Sequence, residues 1–396
     1  MTLDAQLSAD LDAMDEAGTR KSIPVLRSPQ GPVIEVEGRG DVICLCSNDY
    51  LGLAADPIVI AAATDGLLRY GAGTASVRFI CGKFEPHVQL EDDLAEFLST
   101  PAALTYTSCW NANAALLDAL CDVPAAIFSD RLNHASIIDG MRLARPAHKA
   151  VFEHSDMDDL RRVLQEAPAV ERRLIVTDGV FSMEGDLALM PTLAELAAEH
   201  DATLIVDDSH AIGVVGETGR GVLERFGLLG REDIVLTGTL GKALGGAAGG
   251  FVAGSRALCD VLEQRSRAQL FSNGLPPSVA CGARAAIAVL REDPSRLERL
   301  HLNVAHMRAG ITKAGLEPLQ GESAIVPIIV GKTADAIRAS QMLLDRGVYA
   351  TGFGYPVVPE GTARVRIQLS AALEPAQIDL ASEAIGAVGR ELGLAR

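Results

Sequence analysis

Lys242 is a candidate nucleophile, because it follows a predicted strand in the string Thr237-Gly-Thr-Leu-Gly-Lys-Ala-Leu-Gly-Gly246. Among glycine and apolar residues the amine would lose water, which lowers its pKa and lets it attack a carbonyl carbon. An ordinary surface lysine on a loop is the alternative. A phosphate-binding P-loop is excluded, because that motif has four residues between its first glycine and the Gly-Lys pair, followed by Ser or Thr. Here only two residues intervene, and Ala243 follows the lysine.

Asp207 ends a predicted buried strand and is followed by Asp208, Ser209 and His210. A carboxylate in that position needs a cationic partner to offset its loss of water. The protonated pyridine nitrogen of pyridoxal phosphate is one such partner, and His210 would then lie near the ring. A metal site and a plain loop are the alternatives. We expect no metal, because no further cluster of His, Cys or Asp clearly supplies a third ligand.

The segment from Thr107 to Asn111 is a candidate phosphate site, because it follows a predicted strand and opens the helical run Ala112–Leu120. Free backbone N–H groups and the helix dipole bind phosphate at such a position. Ser108 could instead be only the helix N-cap, and the two roles are compatible. A nicotinamide cofactor is disfavoured, because residues 71–76 lack the last glycine of the dinucleotide fingerprint and do not follow a strand.

His134 and two arginines complete the candidate chemistry. His134 follows the predicted strand that ends near Asp130, and its imidazole either stacks on a cofactor ring or has a structural role. Arg364 and Arg366 are two residues apart on a predicted strand, so they share one face. We expect at least one of them to bind a substrate carboxylate with its bidentate guanidinium, and the alternative leaves both solvated.

Short apolar runs separated by helical stretches predict the strands that position these residues. The runs are continuously apolar, which is typical of strands covered on both faces, and the alternation with helices predicts a mainly parallel sheet. Ligands bind beyond the carboxyl ends of such strands, where the polar residues of this chain occur. The predicted strands are Ala103–Tyr106, Ala126–Phe128, Leu174–Thr177, Thr203–Val206, Ile234–Thr237 and Gly250–Ala253.

The sequence predicts an α/β protein in three segments. Residues 1–46 form an N-terminal arm with short strands, residues 47–290 a large cofactor-binding α/β domain, and residues 291–396 a small C-terminal α+β domain. In the small domain the pattern predicts helices and strands at Ser295–Ala314, Ala324–Val330, Ala334–Asp345, Arg364–Leu369 and Pro375–Leu392.

The composition excludes several classes of partner. The chain has 396 residues and a formal net charge of -17, so nucleic acid and anionic membranes would be repelled at long range. None of the seven cysteines lies in a C-x-x-C pair, which favours reduced thiols over a zinc site. Residues 1–16 lack the pattern of a secretory signal, and no apolar stretch reaches the roughly 20 residues of a membrane span. We expect a cytoplasmic protein without a membrane or nucleic-acid partner.

Taken together, these segments resemble the α-oxoamine synthase family of fold-type I pyridoxal-phosphate enzymes, and within it the glycine C-acetyltransferase (2-amino-3-ketobutyrate coenzyme A ligase) branch. The resemblance extends over nearly the whole chain, from Ser47 to Ser370. It rests on long strings in a fixed order: Ala75-Ser-Val-Arg-Phe-Ile-Cys-Gly82, Leu132-Asn-His-Ala-Ser-Ile-Ile-Asp-Gly140, Thr177-Asp-Gly-Val-Phe-Ser-Met183, Val206-Asp-Asp-Ser-His-Ala211, Thr237-Gly-Thr-Leu-Gly-Lys-Ala-Leu-Gly-Gly246 and Leu270-Phe-Ser-Asn273.

The resemblance implies a seven-stranded, mainly parallel sheet and a set of cofactor contacts. Lys242 would form the Schiff base and move the α-proton, while Asp207 would pair with the pyridinium. The phosphate would be held by the segment with Ser108, by the amides of Cys109 and Trp110, and by Thr239. The remaining implied contacts are His134 on the ring face, Ser182 and His210 at the ring hydroxyl, Ser272 and Asn273 at the phosphate of a neighbouring subunit, and Asn48 and Arg366 at the amino-acid carboxylate.

The implied reaction condenses glycine with an acyl-coenzyme A, most simply acetyl-CoA, in a homodimer with shared sites, or runs in reverse. Related family members that use a longer acyl chain or lose carbon dioxide, such as 8-amino-7-oxononanoate or 5-aminolevulinate synthases, are the alternative. A non-catalytic cofactor-binding regulator is a further one. Four residues depart from the acetyltransferase pattern and put the substrate in question: Trp110, Asn111, Gly354 and Leu373.

Overall fold

The computed structural model describes residues 1–395. Within that part of the chain the helices are α1 (Leu3–Glu16), α2 (Pro57–Tyr70), α3 (Arg78–Cys81), α4 (Glu85–Leu98), α5 (Cys109–Leu120), α6 (Ala135–Ala144), α7 (Met157–Glu166), α8 (Met190–Glu199), α9 (Val222–Arg225), α10 (Arg256–Arg265), α11 (Arg267–Phe271), α12 (Pro277–Glu292), α13 (Ser295–Lys313), α14 (Thr333–Leu344) and α15 (Pro375–Glu391). No helix among these residues is both long and apolar enough to cross a membrane.

The strands in the same described part of the chain mostly correspond to predicted strands. They are β1 (Val33–Val36), β2 (Gly40–Cys44), β3 (Ala102–Tyr106), β4 (Ala125–Asp130), β5 (His148–Phe152), β6 (Arg172–Asp178), β7 (Thr203–Asp207), β8 (Ile234–Thr239), β9 (Gly250–Gly254), β10 (Ile325–Gly331), β11 (Val348–Tyr349), β12 (Thr351–Phe353) and β13 (Ala363–Gln368).

The chain forms two compact units. One contains residues 51–182 and 186–297, and the other contains residues 1–50, 183–185 and the residues from 298 onward. The predicted division at residues 46/47 and 290/291 stays a prediction. The N-terminal arm belongs to the same unit as the C-terminal residues. Within the arm α1 has no buried residue, whereas β1 and β2 bury Ile34, Val36, Val42 and Cys44 in one core cluster.

The larger unit contains a seven-stranded sheet in the order β3-β9-β8-β7-β6-β4-β5. Strands β4 to β8 are parallel to one another, and β9 runs antiparallel to both of its neighbours. The prediction of a mainly parallel seven-stranded sheet is therefore confirmed. Strand β5 has no counterpart among the predicted strands, because it lies at the sheet edge, where its burial alternates and its sequence shows no continuous apolar run.

Burial on both faces explains why the sheet strands are apolar. Every residue of β3, β4 and β9 is buried. On one face the sheet packs on α5, α6 and α10, whose inward residues join one core cluster, and at about 25 cal/mol per Å² of apolar surface this burial is a main source of stability. Helices α5 and α6 begin after β3 and β4, which run in the same direction, so their N-termini lie at the same edge of the sheet. Helix α10 follows the antiparallel strand β9 and begins at the opposite edge.

The smaller unit contains two three-stranded sheets, β1-β2-β11 and β10-β13-β12. Both arginines of β13 are buried, with Arg364 exposed by 4% and Arg366 by 7%, so the alternative that both are solvated is wrong. Arg364 donates to Glu184 Oε1 at 2.8 Å and to the Met183 carbonyl at 3.0 Å, which accounts for its charge.

Gly354, one of the positions that departs from the acetyltransferase pattern, lies against Thr333 in this unit. A Cβ atom at Gly354 would lie 2.7 Å from Thr333 Cβ and would overlap its hydroxyl oxygen. That oxygen accepts the Tyr355 N–H at 2.9 Å and also bonds to Glu360. Gly354 therefore leaves no open space at its Cβ position, since Thr333 occupies it.

Candidate active site

Most of the predicted cofactor residues line one cavity of about 210 Å³ in the larger unit. The cavity lies at the edge of the sheet where the parallel strands end, as expected for an open α/β sheet. Its lining consists of Ser108, Cys109, Trp110, His134, Asp178, Val180, Asp207, Ser209, His210, Thr239 and Lys242.

The N-terminus of α5 forms one wall of the cavity. Ser108 caps this helix, with its Oγ accepting the Asn111 N–H at 3.1 Å. The first N–H groups of a helix have no acceptor within the helix, so those of Cys109 and Trp110 are suited to an anion. Gly250 allows β9 to approach this helix end, because a Cβ there would overlap the backbone nitrogen of Cys109.

Asp207 is held by three donors. Its Oδ2 accepts from Asn113 Nδ2 at 2.6 Å and from the Cys109 thiol at 3.7 Å, and its Oδ1 accepts the Ser209 N–H at 3.0 Å. Burial raises the pKa of Cys109 well above its ordinary value, and the Asp207 charge adds to the effect, so the thiol stays protonated and can donate. A carboxylate surrounded by donors keeps a defined orientation toward a cation in the cavity.

His134 caps α6 and is oriented through its Nδ1 atom. Nδ1 lies 2.7 Å from Ser136 Oγ and 3.2 Å from the Ser136 backbone nitrogen. The backbone N–H of His134 donates to Asp178 Oδ2 at 3.0 Å, and the Trp110 ring meets the imidazole edge-on, with 6.0 Å between centroids. The imidazole is therefore fixed by α6, β6 and α5 together.

Lys242 lies in the loop after β8 and is half-buried. Turn bonds shape this loop, with Gly241 N–H donating to Thr239 Oγ1 at 3.1 Å and Gly246 N–H to the Lys242 carbonyl at 2.9 Å. Burial raises the pKa of Asp178 well above its ordinary value and the Asp207 charge adds to this, while the Lys242 ammonium opposes it. The ammonium thus contributes positive charge beside two buried acids.

Eight of the predicted cofactor residues come together around this cavity: Ser108, Cys109, Trp110, His134, Asp207, His210, Thr239 and Lys242. Three others do not line it, namely Ser182, which lies in the loop after β6, and Ser272 and Asn273, which follow α11. Ser272 is half-buried and Asn273 is exposed.

The two predicted substrate residues lie in the smaller unit. Asn48 Oδ1 accepts from Gln368 Nε2, which is also 3.2 Å from the Tyr50 hydroxyl. Arg366 donates to Gln368 Oε1 at 3.1 Å, and its guanidinium carbon lies 4.6 Å from the centroid of the Phe353 ring. Gln368 therefore joins Asn48 and Arg366 into one polar group.

Two functional candidates were missed in the sequence. Asn113 lies one turn into α5 and bonds to Asp207, and Asp178 ends β6 and holds His134. In the sequence Asp178 directly follows the predicted strand Leu174–Thr177, and Asn113 gives no signal, because a lone asparagine inside a helix is ordinary. Asp130 also ends a strand, β4, but it does not line the cavity.

Asp130 instead bonds to His154, which also bonds to Asp186. The imidazole nitrogens lie 3.1 Å from Asp130 Oδ1 and 3.0 Å from Asp186 Oδ2. Burial alone would lower the pKa of His154, but the hydrogen bonds to the two carboxylates raise it to about 10 from its ordinary 6.5. The charged imidazole is therefore a stabilising part of the folded unit near neutral pH.

We expect His154→Gln to flatten the pH dependence of stability in the alkaline range. A pKa raised by folding adds stability that is complete below about 6.5 and is lost as the pH rises through about 10. The wild-type free energy of unfolding should therefore fall more steeply between pH 7 and 10, by up to about 1.4 kcal/mol per pH unit. Urea unfolding at several pH values measures the difference. His306→Gln, at an exposed histidine that contacts Asp379, is the control, and equal slopes in wild type and His154→Gln would contradict the prediction.

The cavity fits pyridoxal phosphate by the chemistry of its groups. A helix N-terminus supplies donors for phosphate, Asp207 supplies a carboxylate for a pyridinium, and Lys242 supplies an amine for an aldehyde. The Oδ1 atom of Asp178 is buried in the cavity wall and has no hydrogen-bond partner among residues 1–395, as expected of a site built to receive a polar group.

Comparison with protein families supports the same conclusion. The pattern of the family described as aminotransferase class I and II matches residues 40–385. The chain is 43% identical to the 8-amino-7-oxononanoate synthase of Symbiobacterium thermophilum, with 100% of both chains covered. It is 44% identical to the 2-amino-3-ketobutyrate coenzyme A ligase of Escherichia coli K12, with 98% of both chains covered.

Solved structures share the whole fold. The chain matches a serine palmitoyltransferase from S. paucimobilis, determined with a pyridoxal-phosphate–myriocin aldimine, with a TM-score of 0.93 and 30% identity over 99% of this chain and 100% of that one. A second such structure, with pyridoxal phosphate as internal aldimine, gives the same TM-score and identity over 100% of both chains.

Proposed function

The chain belongs to the aminotransferase class I and II family and is a pyridoxal-phosphate-dependent acyltransferase, and from that premise we propose that it condenses glycine or another small amino acid with an acyl-CoA. With acetyl-CoA the products are 2-amino-3-oxobutanoate and free coenzyme A. A carbon–carbon bond forms between the amino-acid α-carbon and the acyl carbonyl carbon, the thioester carbon–sulfur bond breaks, and the reverse cleavage uses the same site.

The observation that carries this proposal is the convergence of a lysine, a buried carboxylate, an imidazole and a helix N-terminus on one cavity. In our proposal Lys242 holds the cofactor and takes and returns the amino-acid α-proton through Nζ. Asp207 holds the proton of the pyridine nitrogen, and the α5 N-terminus with Thr239 binds the phosphate. Bound pyridoxal phosphate supplies a ring that accepts the electron pair left by the α-proton.

We assign the remaining contacts by the same proposal. Asn48 and Arg366 bind the amino-acid carboxylate, which suits the bidentate geometry of a guanidinium. His134 stacks on the ring, and Ser182 and His210 bond to the ring hydroxyl. Arg366 is buried and bonds to Gln368, which also bonds to Asn48, and this shared contact supports the assignment of both residues.

We further propose that the enzyme is a homodimer in which Ser272 and Asn273 reach the phosphate in the partner subunit. Large apolar side chains on α3 and α11 support this assembly, with Phe79 exposed by 65%, Ile80 by 64% and Phe271 by 70%. A second subunit would remove such surface from water. A cytoplasmic location completes the proposal.

The second candidate function is condensation with a longer acyl chain or with loss of carbon dioxide. It is favoured by the nearly equal identity to an 8-amino-7-oxononanoate synthase, 43% against 44% for the coenzyme A ligase. Of the departing positions, Trp110 lines the cavity and Leu373 is buried at 3% exposure. Because the indole ring of Trp110 forms part of the cavity wall, it acts directly on which substrate fits.

We expect glycine-dependent release of coenzyme A thiol to be fastest with acetyl-CoA in a series of acyl-CoA chain lengths, and without carbon dioxide. Thiol release and carbon dioxide are measured on the same samples, with glycine omitted as the control. A rate maximum at longer chains, or carbon dioxide in step with thiol, would establish the second candidate instead. If no amino acid and acyl-CoA pair gave release of coenzyme A, both candidate functions would be contradicted.

A further inference from the structure

Asn113 links the two groups that we assign to the cofactor ring. It lies on α5 with 2% exposure, and its Nδ2 atom is 2.6 Å from Asp207 Oδ2 and 2.9 Å from Ser136 Oγ. Ser136, which is fully buried, contacts Nδ1 of His134 at 2.7 Å. One amide thus connects the carboxylate on β7 with the imidazole at the start of α6.

The orientation of the Asn113 amide follows from its partner. An ionised carboxylate only accepts hydrogen bonds, so the group facing Asp207 must be the NH₂ and not the carbonyl oxygen. The reversed amide would place two acceptor oxygens in contact. The second N–H of the same NH₂ then points to Ser136, whose Oγ accepts it.

The protonation of His134 follows from the next contact. The backbone N–H of Ser136 can only donate, and it lies 3.2 Å from His134 Nδ1, so this nitrogen accepts and carries no proton. The Ser136 hydroxyl, already an acceptor from Asn113, is left to donate to the same nitrogen. The neutral ring therefore carries its proton on Nε2.

We propose that Asn113 is a positioning residue that holds the Asp207 carboxylate and, through Ser136, the His134 imidazole as one hydrogen-bonded unit. The inference rests on the proposed function in one respect, that Asp207 and His134 contact the cofactor. Within the unit the carboxylate stays an acceptor facing the cavity, and the imidazole stays neutral. A neutral ring beside a protonated pyridine avoids the repulsion that an imidazolium would bring.

The test uses Asn113→Leu, which keeps the side-chain size but removes both donors. We expect the dissociation constant of pyridoxal phosphate from the folded protein to rise by about 10- to 100-fold, because a hydrogen bond to a charged group is lost. The value of kcat should fall while the KM for acyl-CoA stays unchanged. In a nitrogen-15 NMR experiment on the histidine side chains, wild-type His134 should show an unprotonated Nδ1 and a protonated Nε2.

A double-mutant cycle that combines Asn113→Leu with Ser136→Ala distinguishes a linked unit from two independent contacts. In a linked unit, Ser136→Ala should raise the cofactor dissociation constant by a smaller factor in the Asn113→Leu background than in wild type. Asn303→Leu is the control for loss of a buried amide, since Asn303 in the smaller unit also makes two bonds, each of 2.9 Å, to the Ser370 and Leu373 carbonyls. It should lower thermal stability without changing the cofactor dissociation constant of the folded protein.

Three results would overturn the inference: an unchanged cofactor dissociation constant in Asn113→Leu, additive effects in the cycle, or a protonated Nδ1 on His134. None of these measurements depends on the acyl donor or the amino acid. Failure of the acyl-CoA series with a positive Asn113 result would therefore count against the proposed function alone.

Discussion

Lys242→Ala should lose turnover by about 10³-fold or more, together with the visible absorbance of the lysine–cofactor Schiff base. The variant lacks both the amine that holds the aldehyde and the group that moves the α-proton. Cofactor can still bind through the phosphate and ring contacts, so the absorbance should shift to that of the free aldehyde rather than vanish. Absorbance spectra and coenzyme A release on the same preparation measure both effects.

Lys313→Ala is the control for this variant. Lys313 is an exposed residue at the end of α13 in the smaller unit, so its removal should change neither absorbance nor turnover. Normal turnover in Lys242→Ala would sink the proposed mechanism. Lost turnover with an intact Schiff-base band would instead assign the band to another lysine.

Asp207→Ala should lower kcat/KM by about 10²- to 10⁴-fold and weaken cofactor binding. The physical reason is that a buried cation loses its only carboxylate partner in our assignment, at a cost of about 3–5 kcal/mol. The three donors that now surround Asp207 would be left facing an empty position, which adds a loss of fold stability. Kinetics and cofactor titration below the unfolding temperature separate the two effects.

Asp208→Asn provides a matched control at the adjacent residue. Asp208 is fully buried and its Oδ2 accepts the Val222 N–H at 3.1 Å, but it does not line the cavity. Burial raises the pKa of Asp208 to about 8, so near neutral pH the side chain is largely uncharged and asparagine is a close replacement. Equal losses in Asp207→Ala and Asp208→Asn would refute the pyridinium assignment.

The main strands and helices could be predicted because their signals, a continuous apolar run and a helix-capping residue, are local in the sequence. Strand β7 is a continuous apolar run, and α2 begins at Pro57 after Asp56, whose side chain accepts the Ile58 N–H at 2.8 Å. Strand β5 could not be found in this way. Its residues alternate in burial because it covers the sheet edge, and its register is set by pairing with β4.

The site was predictable to the extent that its residues follow strands. Asp207 comes directly after an apolar run, Lys242 and His134 lie in the loops that follow such runs, and parallel strands bring these positions together. Asn113 and Asp130 show the limit of that rule. The partner of each is distant in sequence, Asp207 for Asn113 and His154 for Asp130, so only the packed structure decides which polar residue faces the cavity.

The contact between Gly354 and Thr333 constrains the order in which this chain could acquire a larger side chain at position 354. Any side chain there meets Thr333 first, and replacing Thr333 removes the hydroxyl that accepts the Tyr355 N–H and donates to Glu360. The two positions therefore behave as an epistatic pair, in which a smaller residue at 333 must come before or with a larger one at 354. In laboratory evolution toward a larger residue at 354, we therefore expect a substitution at 333 to appear first or in the same variant.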